Sequence, residues 1–337
     1  MDSPDLITHL LSGAAFGAAL TFSGVWSPTT IVDQMYFRDF RMLKVFLTAS
    51  GASALVLHIL SRKQFARPPS CLGLRGQYDG NIIGGAMVGI GMTLTGACPG
   101  TVLIQVATGT YPGIYSFVGG LGGGIVYTGI QSALHRSTAS SCPPSTLTLH
   151  EKYHINSNLA IITYAALCSA MVAGLTHFLP ETDTRVKFLP PILGGLLIGA
   201  TQLASIIFRK SPVGISTAYE EQGSCFWSMF SGWKKSEDGK TKKPNFHATF
   251  FAGGVMLGAF VLTQAMPELL STVSTQSLDI SPLRAAMGGL IMVLGARLAG
   301  GCTSGHGISG MSLLATSSIV SVMSMFAGGM GLAQLMG

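Results

Sequence analysis

Two of the six cysteines sit in closely similar surroundings about two hundred residues apart, in TGACPGTVLIQVATG at 95–109 and GGCTSGHGISG at 300–310. Each frame sets one thiol among glycines and small hydroxyl residues inside an otherwise apolar stretch. CPG reads as a helix start. Cys98 would be the cap, Pro99 the first helical residue whose missing N–H costs nothing, and Gly100 lets other backbones approach before Thr101. CTSGHG presents Cys302, Thr303, Ser304 and backbone amides in the same way, with His306 beside them. Helix N-termini carry partial positive charge, and a thiol is a weak S–H donor. That pairing suits a polarisable anion held loosely at successive points, which is what conduction through a membrane needs.

Such frames need helices that begin inside a bilayer, and the chain has the composition for one. Of its 337 residues 48% are hydrophobic and only 10% charged, against about 25% charged in soluble domains. Its 44 glycines follow no Gly-X-Y period and fit close helix packing and broken helices. Apolar length and breakers give nine expected spans: Leu6–Val25, Leu43–Leu60, Asn81–Ala97, Gly113–Leu134, Leu159–Leu179, Leu189–Phe208, Ala248–Met266, Leu283–Gly301 and Ser317–Met336. The N-terminal MDSPDLITHLL lacks a basic region or cleavage site, so the first is read as a retained span. Four short pieces, SPTTIVDQMYF, CPGTVLIQVATG, SPVGISTAYEE and CTSGHGISGMSLLA, are too short to cross and read as re-entrant.

Charge orients this map. With the N-terminus cytoplasmic, thirteen of the twenty Lys and Arg fall in cytoplasmic loops, six fall opposite, and Arg297 lies within a span. Two span–short piece–span units precede the fifth span and two follow it, so that one crossing inverts the second half. The expected fold is an all-α integral membrane protein of about nine transmembrane helices plus short re-entrant helices in an inverted pseudo-two-fold repeat. Residues 1–337 form one transmembrane transport domain, with repeats 1–135 and 189–337 joined by a linking span near 157–179. The expected location is the plasma membrane, the C-terminus opposite the N-terminus. Cys98 then enters from outside and Cys302 from the cytoplasm, along one axis.

Other residues carry weaker signals. Arg297 either attracts anions at the cytoplasmic mouth or snorkels or pairs with a backbone carbonyl. Gln202 and Gln105 either line the path or bond between helices, and His306 either bonds substrate or packs the glycine turn. Cys168 reads as a small apolar filler, and the loop thiols Cys71, Cys142 and Cys225 on the cytoplasmic side argue against disulfides. No CxxC, HExxH, P-loop or GxSxG string occurs, so no metal, cofactor or catalytic residue is expected. The net charge of +6 follows from topology, with no nucleic-acid footprint. The stretch KKSEDGKTKK reads as a solvated loop.

GGCTSGHGISGMSLLA, with GGLIMVLGARLAG before it, resembles the signature of the YeeE/YedE membrane proteins, and GGAMVGIGMTLTGACPGTVLIQVATG resembles the companion signature. The likeness spans nearly the whole chain outside the loops near 61–79, 135–156 and 223–246. It implies uptake of thiosulfate or a related reduced-sulfur anion, passed along by weak S–H contacts from Cys98 and Cys302, by a protein that is not an enzyme. A further cysteine present near the first short helix of some members has no counterpart; Ser23 and Ser27 of SGVWSPTT stand in that region, and a hydroxyl would hold an oxyanion more tightly. Two other readings remain open: a membrane sulfurtransferase forming a cysteine persulfide, and a cytosolic sulfur-handling protein as partner.

Overall fold

The computed structural model describes residues 3–60, 68–72, 76–138, 148–179, 188–231, 246–274 and 278–336. The expected solvated stretch 234–243 and Cys142 lie outside them. The first half comprises α1 (Ser3–Ser23), the short α2 (Pro28–Met35), α3 (Arg41–Ile59), α4 (Asp79–Thr95), the short α5 (Thr101–Ala107) and α6 (Gly113–Thr138). A single turn, α7 (Leu149–Lys152), precedes α8 (Ser157–Phe178). The second half comprises α9 (Pro191–Arg209), α10 (Ser216–Ser231), α11 (His247–Ala265), the short α12 (Glu268–Ser274), α13 (Pro282–Leu298), a π-helix (Ser304–Gly310) and α14 (Thr316–Met336).

A long helix thus stands over each of the nine expected spans, and the described residues hold no strand, only an isolated bridge between Thr148 and Ala315. Seven helices, α1, α3, α6, α8, α9, α11 and α14, are long and apolar enough to cross a membrane. The other two, α4 and α13, have 17 residues each, about 25 Å of helix against a hydrocarbon core of about 30 Å. They end at the two cysteine frames, where a helix that stops short leaves room for the next to start.

Glycine lets these helices touch backbone to backbone. On α1, a Cβ at Gly13 or Gly17 would stand 2.1 or 2.2 Å from the carbonyl oxygens of Phe251 and Val255. On α11, Gly254 and Gly258 face the carbonyls of Leu10 and Ala14 at 2.1 and 2.0 Å. Two glycines four residues apart on each partner make one flat seam, the small-residue crossing of membrane helices. The remaining neighbours are α1 with α9, α3 with α9 and α8, α4 with α13 and α14, and α6 with α13 and α10. The long helix between the halves, α8, packs on α3 and is otherwise apolar and outward-facing, with Leu159, Ile162 and Leu167 exposed to what would be lipid. Cys168 fills the α8–α3 contact with Leu47 and Val172.

Three expectations change. SPVGISTAYEE is not a short piece: α10 runs for 16 residues from Ser216, continuing through Gly223, which packs closely on Gly124 and Thr128 of α6. Arg41 and Lys44, counted among loop charges, lie in the first turn of α3 and are 6% and 2% exposed. Carbonyls at other chain ends satisfy them: Arg41 donates to Ser23 and Leu189 at 3.2 and 2.5 Å, and Lys44 to Leu179 at 2.8 Å. Ser23 ends α1 and Leu179 caps α8, where unpaired carbonyls favour a cation. Finally, Cys71 is disulfide-bonded. Its neighbours are pinned, Ser70 to Asn81 and Leu298 and Leu72 to Asp79, and a thiol held that still can pair wherever another is brought to it.

Candidate functional site

Helix α4 ends on Gly96, whose φ of 62° is left-handed and whose absent side chain leaves room for Pro28. The chain then turns through Ala97, Cys98, Pro99 and Gly100 into α5. The helix starts at Thr101 with Gly100 as its cap, two residues later than the expected start at Pro99 with Cys98 as cap; the Cys98 carbonyl accepts from Val102 N–H at 3.0 Å in the turn before it. Thr101 closes the turn. Its Oγ1 accepts from Cys98 N–H at 2.8 Å, and its own N–H and hydroxyl each lie 3.4 Å from the Cys98 sulfur. Gln105 fixes the whole turn by donating to the carbonyls of Trp26 and Gly96, both at 3.0 Å.

The second frame follows α13. Gly300, with φ of 81°, reverses the chain, and Cys302 is 1% exposed. Its sulfur lies 3.3 Å from Ser304 Oγ. The segment from Ser304 to Gly310 is a π-helix; its three glycines remove the side chains that would hold an ordinary turn tight. A Cβ at Gly307 would lie 1.6 Å from the Phe46 ring, so the ring sits directly on the backbone.

Both frames meet the start of α10. Ile215, just before α10, lines one cavity with Cys98, Thr303 and Ser304, and Tyr219 follows in the first turn of α10. Its hydroxyl donates to Pro99 O at 3.1 Å, tying α10 to the first frame. The cavity has a volume of about 40 Å³, room for roughly three waters. Cys98, Gly100, Thr101, Thr303 and Ser304 line it together with Phe16, Leu20, Met42, Phe46, Ile215 and Ile308. Every lining residue is uncharged and the cavity surface is nearly all apolar. An anion here would meet no counter-ion, so it would be held weakly, and larger guests would have to move the apolar walls.

The sulphur-transport family matches residues 22–331 of this chain. The chain belongs to that family. Over 326 residues it is 26% identical to the thiosulfate transporter TsuA of Spirochaeta thermophila, a likeness covering 92% of this chain and 93% of the relative. Over 150 residues it is 29% identical to a protein named "Probable transporter" from Xylella fastidiosa, covering 44% of this chain but 93% of that one. A sulphur-transport protein with seven helices fit to cross a bilayer is an integral membrane transport protein.

Within this family member, the structure brings some expected residues together and sets others apart. Cys98, Gly100, Thr101, Thr303 and Ser304 line one cavity, with Cys302 just behind and Pro99 supporting the turn through its carbonyl. The remaining expected residues have partners within the protein. Ser23 Oγ bonds Leu20 O at 2.8 Å, and Ser27 Oγ pairs with Thr29 Oγ1 at 2.8 Å. Gln202 Oε1 accepts from Val213 N–H and Ser309 at 3.0 and 3.3 Å, as inter-helix bonding would have it. His306 bridges Ser318 Oγ at 2.9 Å and Ala299 O at 3.0 Å, with no exposed surface. A carbonyl accepts only, so Nε2 carries the proton and Nδ1 accepts from Ser318. Both nitrogens are then engaged, and His306 packs the glycine turn. Arg297 pairs with Glu220 rather than with a backbone carbonyl. Tyr219, Ile215, Phe46 and Glu220 carried no sequence signal: they are ordinary residues until folding sets them against the thiols.

Proposed function

We propose that this protein carries thiosulfate or a closely related reduced-sulfur anion across the membrane along Cys98 and Cys302. The observation that carries the reading is one small, largely apolar cavity lined by residues of both cysteine frames. The likeness to a thiosulfate transporter over 92% of the chain supports the substrate class. In this reading the anion enters among the apolar walls and accepts weak hydrogen bonds from Cys98, Thr101, Thr303 and Ser304. It then moves to Cys302 as Phe46 and Ile215 give way. Weak, sequential donors let it leave as readily as it arrives. The test is radiolabelled thiosulfate flux into liposomes holding only the purified protein; no flux above protein-free liposomes rejects the proposal.

The architecture proposed with it is nine crossings with the halves 1–135 and 189–337 as an inverted repeat. Exchanging α1 with α9, α2 with α10, α3 with α11, α4 with α13, α5 with the π-helix and α6 with α14 supports this. Under that exchange the pair α1–α11 becomes α9–α3, α6–α13 becomes α14–α4, and α5–α11 becomes π-helix–α3, all of them real contacts. A relative matched over 93% of its length by 44% of this chain fits a duplicated half. The N-terminus is placed in the cytoplasm, in a plasma membrane, by the charge count; the disulfide at Cys71 pulls the other way. A cytosolic partner would rest on the loop near 223–246, most of which lies outside the described residues.

A persulfide-forming sulfurtransferase is the second reading, favoured by Ser304 Oγ lying 3.3 Å from the Cys302 sulfur, where its hydroxyl could donate to a thiolate. In it the Cys302 thiolate takes the outer sulfur of thiosulfate and sulfite leaves. Intact-mass analysis after thiosulfate exposure separates the two: a stable gain of one sulfur on Cys302 with release of sulfite supports the enzyme, and an unmodified chain that still conducts supports transport.

A further inference from the structure

We infer that Arg297 and Glu220 form a latch on the side of Cys302 away from the cavity, which an anion opens by taking Glu220's place on the guanidinium. This rests on the transport reading and adds what happens after the thiols.

The residues fall in order along α6. Tyr219, whose hydroxyl donates to Pro99 O, packs on Phe117, Gly120 and Gly124. Arg297 lies over the ring of Tyr127 at 5.5 Å, and Gln131 Nε2 donates to Glu220 Oε1 at 3.2 Å. Seven residues along a helix is about 10 Å, so the ion pair lies one step further toward the α6 C-terminus. The cavity lies the opposite way. It is walled by the C-terminal part of α1 and the N-terminal part of α3, on the face where, by chain connectivity, α4 ends and α6 begins.

Ser216 joins the pair to the site. It comes one residue after Ile215, which lines the cavity with Thr303 and Ser304, and its hydroxyl accepts from Arg297 Nη1 at 3.4 Å. Arg297 is thereby tied to the start of α10. It is 12% exposed and Glu220 21%. Its Nε is buried without a hydrogen-bond partner, so the guanidinium has donor capacity to spare.

An unpaired arginine here would trap a divalent anion, and conduction fails at a site that binds too well. Pairing with Glu220 offsets the charge and leaves only a competitive attraction. The carboxylate has a second anchor in Gln131, so it can release Arg297 without losing all its partners. An anion arriving from Cys302 exchanges with the carboxylate, and the carboxylate's return expels it.

The test compares wild type, Glu220→Gln, Arg297→Gln and the double variant, each purified and reconstituted, with thiosulfate affinity measured in detergent and flux in liposomes. Glu220→Gln, isosteric and still able to bond Gln131, should bind thiosulfate on the order of tenfold more tightly and conduct more slowly. Arg297→Gln should lose flux because it leaves a carboxylate unopposed on the route, and the double variant should recover part of it. Unchanged affinity in Glu220→Gln, or a double variant no better than Arg297→Gln, makes the pair a mere brace and overturns the latch. Should Arg297→Gln fail to fold, affinity and flux of Glu220→Gln decide alone. A wild type that neither binds nor conducts thiosulfate overturns the transport reading and the latch together; a conducting wild type with unaltered variants overturns only the latch.

Discussion

The Tyr219 hydroxyl donates to the Pro99 carbonyl at 3.1 Å, joining the first turn of α10 to the backbone between Cys98 and Thr101. A residue from the second half of the chain thereby sets the angle of the thiol in the first. Tyr219→Phe keeps the ring and loses the bond, which should cost about 1 kcal/mol of stability. Flux should fall several-fold with little change in melting temperature, read by liposome uptake beside a thermal melt.

The thiols themselves should be indispensable to transport and dispensable to folding. Cys98 is half-buried at the edge of a cavity and Cys302 is small and bonded only weakly. Cys98→Ala and Cys302→Ala should each abolish thiosulfate uptake while membrane abundance is retained. Unaltered influx in both would sink the relay.

Phe46 and Gly307 should behave as a matched pair. The ring occupies the space of the missing Cβ and also lines the cavity. Gly307→Ala should push Phe46 into the passage and reduce flux at least tenfold, an overpacking cost of about 1–3 kcal/mol. Adding Phe46→Leu should restore much of the flux; a double variant as inactive as Gly307→Ala would assign the glycine to backbone geometry instead.

His306 should matter to the fold rather than to substrate. Removing it leaves the Ser318 hydroxyl without this partner in a fully buried place, and the Ala299 carbonyl with Asn81 Nδ2 as its remaining side-chain donor. Such an orphaned group costs about 1–3 kcal/mol. His306→Ala should lower the melting temperature and abundance together, with the affinity of the surviving protein unchanged.

Tags on the two termini should report opposite sides of the membrane, as an odd number of crossings requires. A membrane-impermeant reductant applied from outside should leave the Cys71 disulfide intact if that loop is cytoplasmic. Reduction from outside would reverse the proposed orientation while keeping the nine crossings.

Much of the fold was legible because a bilayer imposes a strong rule: a helix that crosses must be long, apolar and nearly free of charge. All nine expected spans carry helices, and their borders fall within a few residues of the breakers. The misjudged places are those where polar groups find partners far along the chain. Arg41 and Lys44 looked like loop cations because their carbonyl partners at Ser23, Leu179 and Leu189 are not local. The partners of His306, Ala299 and Ser318, are likewise seven and twelve residues away, so the sequence did not announce them.

By itself the sequence determined the membrane class, the two cysteine frames and a glycine content suited to close helix packing, since these depend on local composition and spacing. Only the tertiary structure decided that Cys98, Thr303 and Ser304 share one cavity, that Tyr219 spans the frames, and that Glu220 neutralises Arg297. The physical reason is distance along the chain. Hydrogen bonds and ion pairs act over a few ångströms, and residues separated by dozens or hundreds of positions come within that range only when helices have crossed.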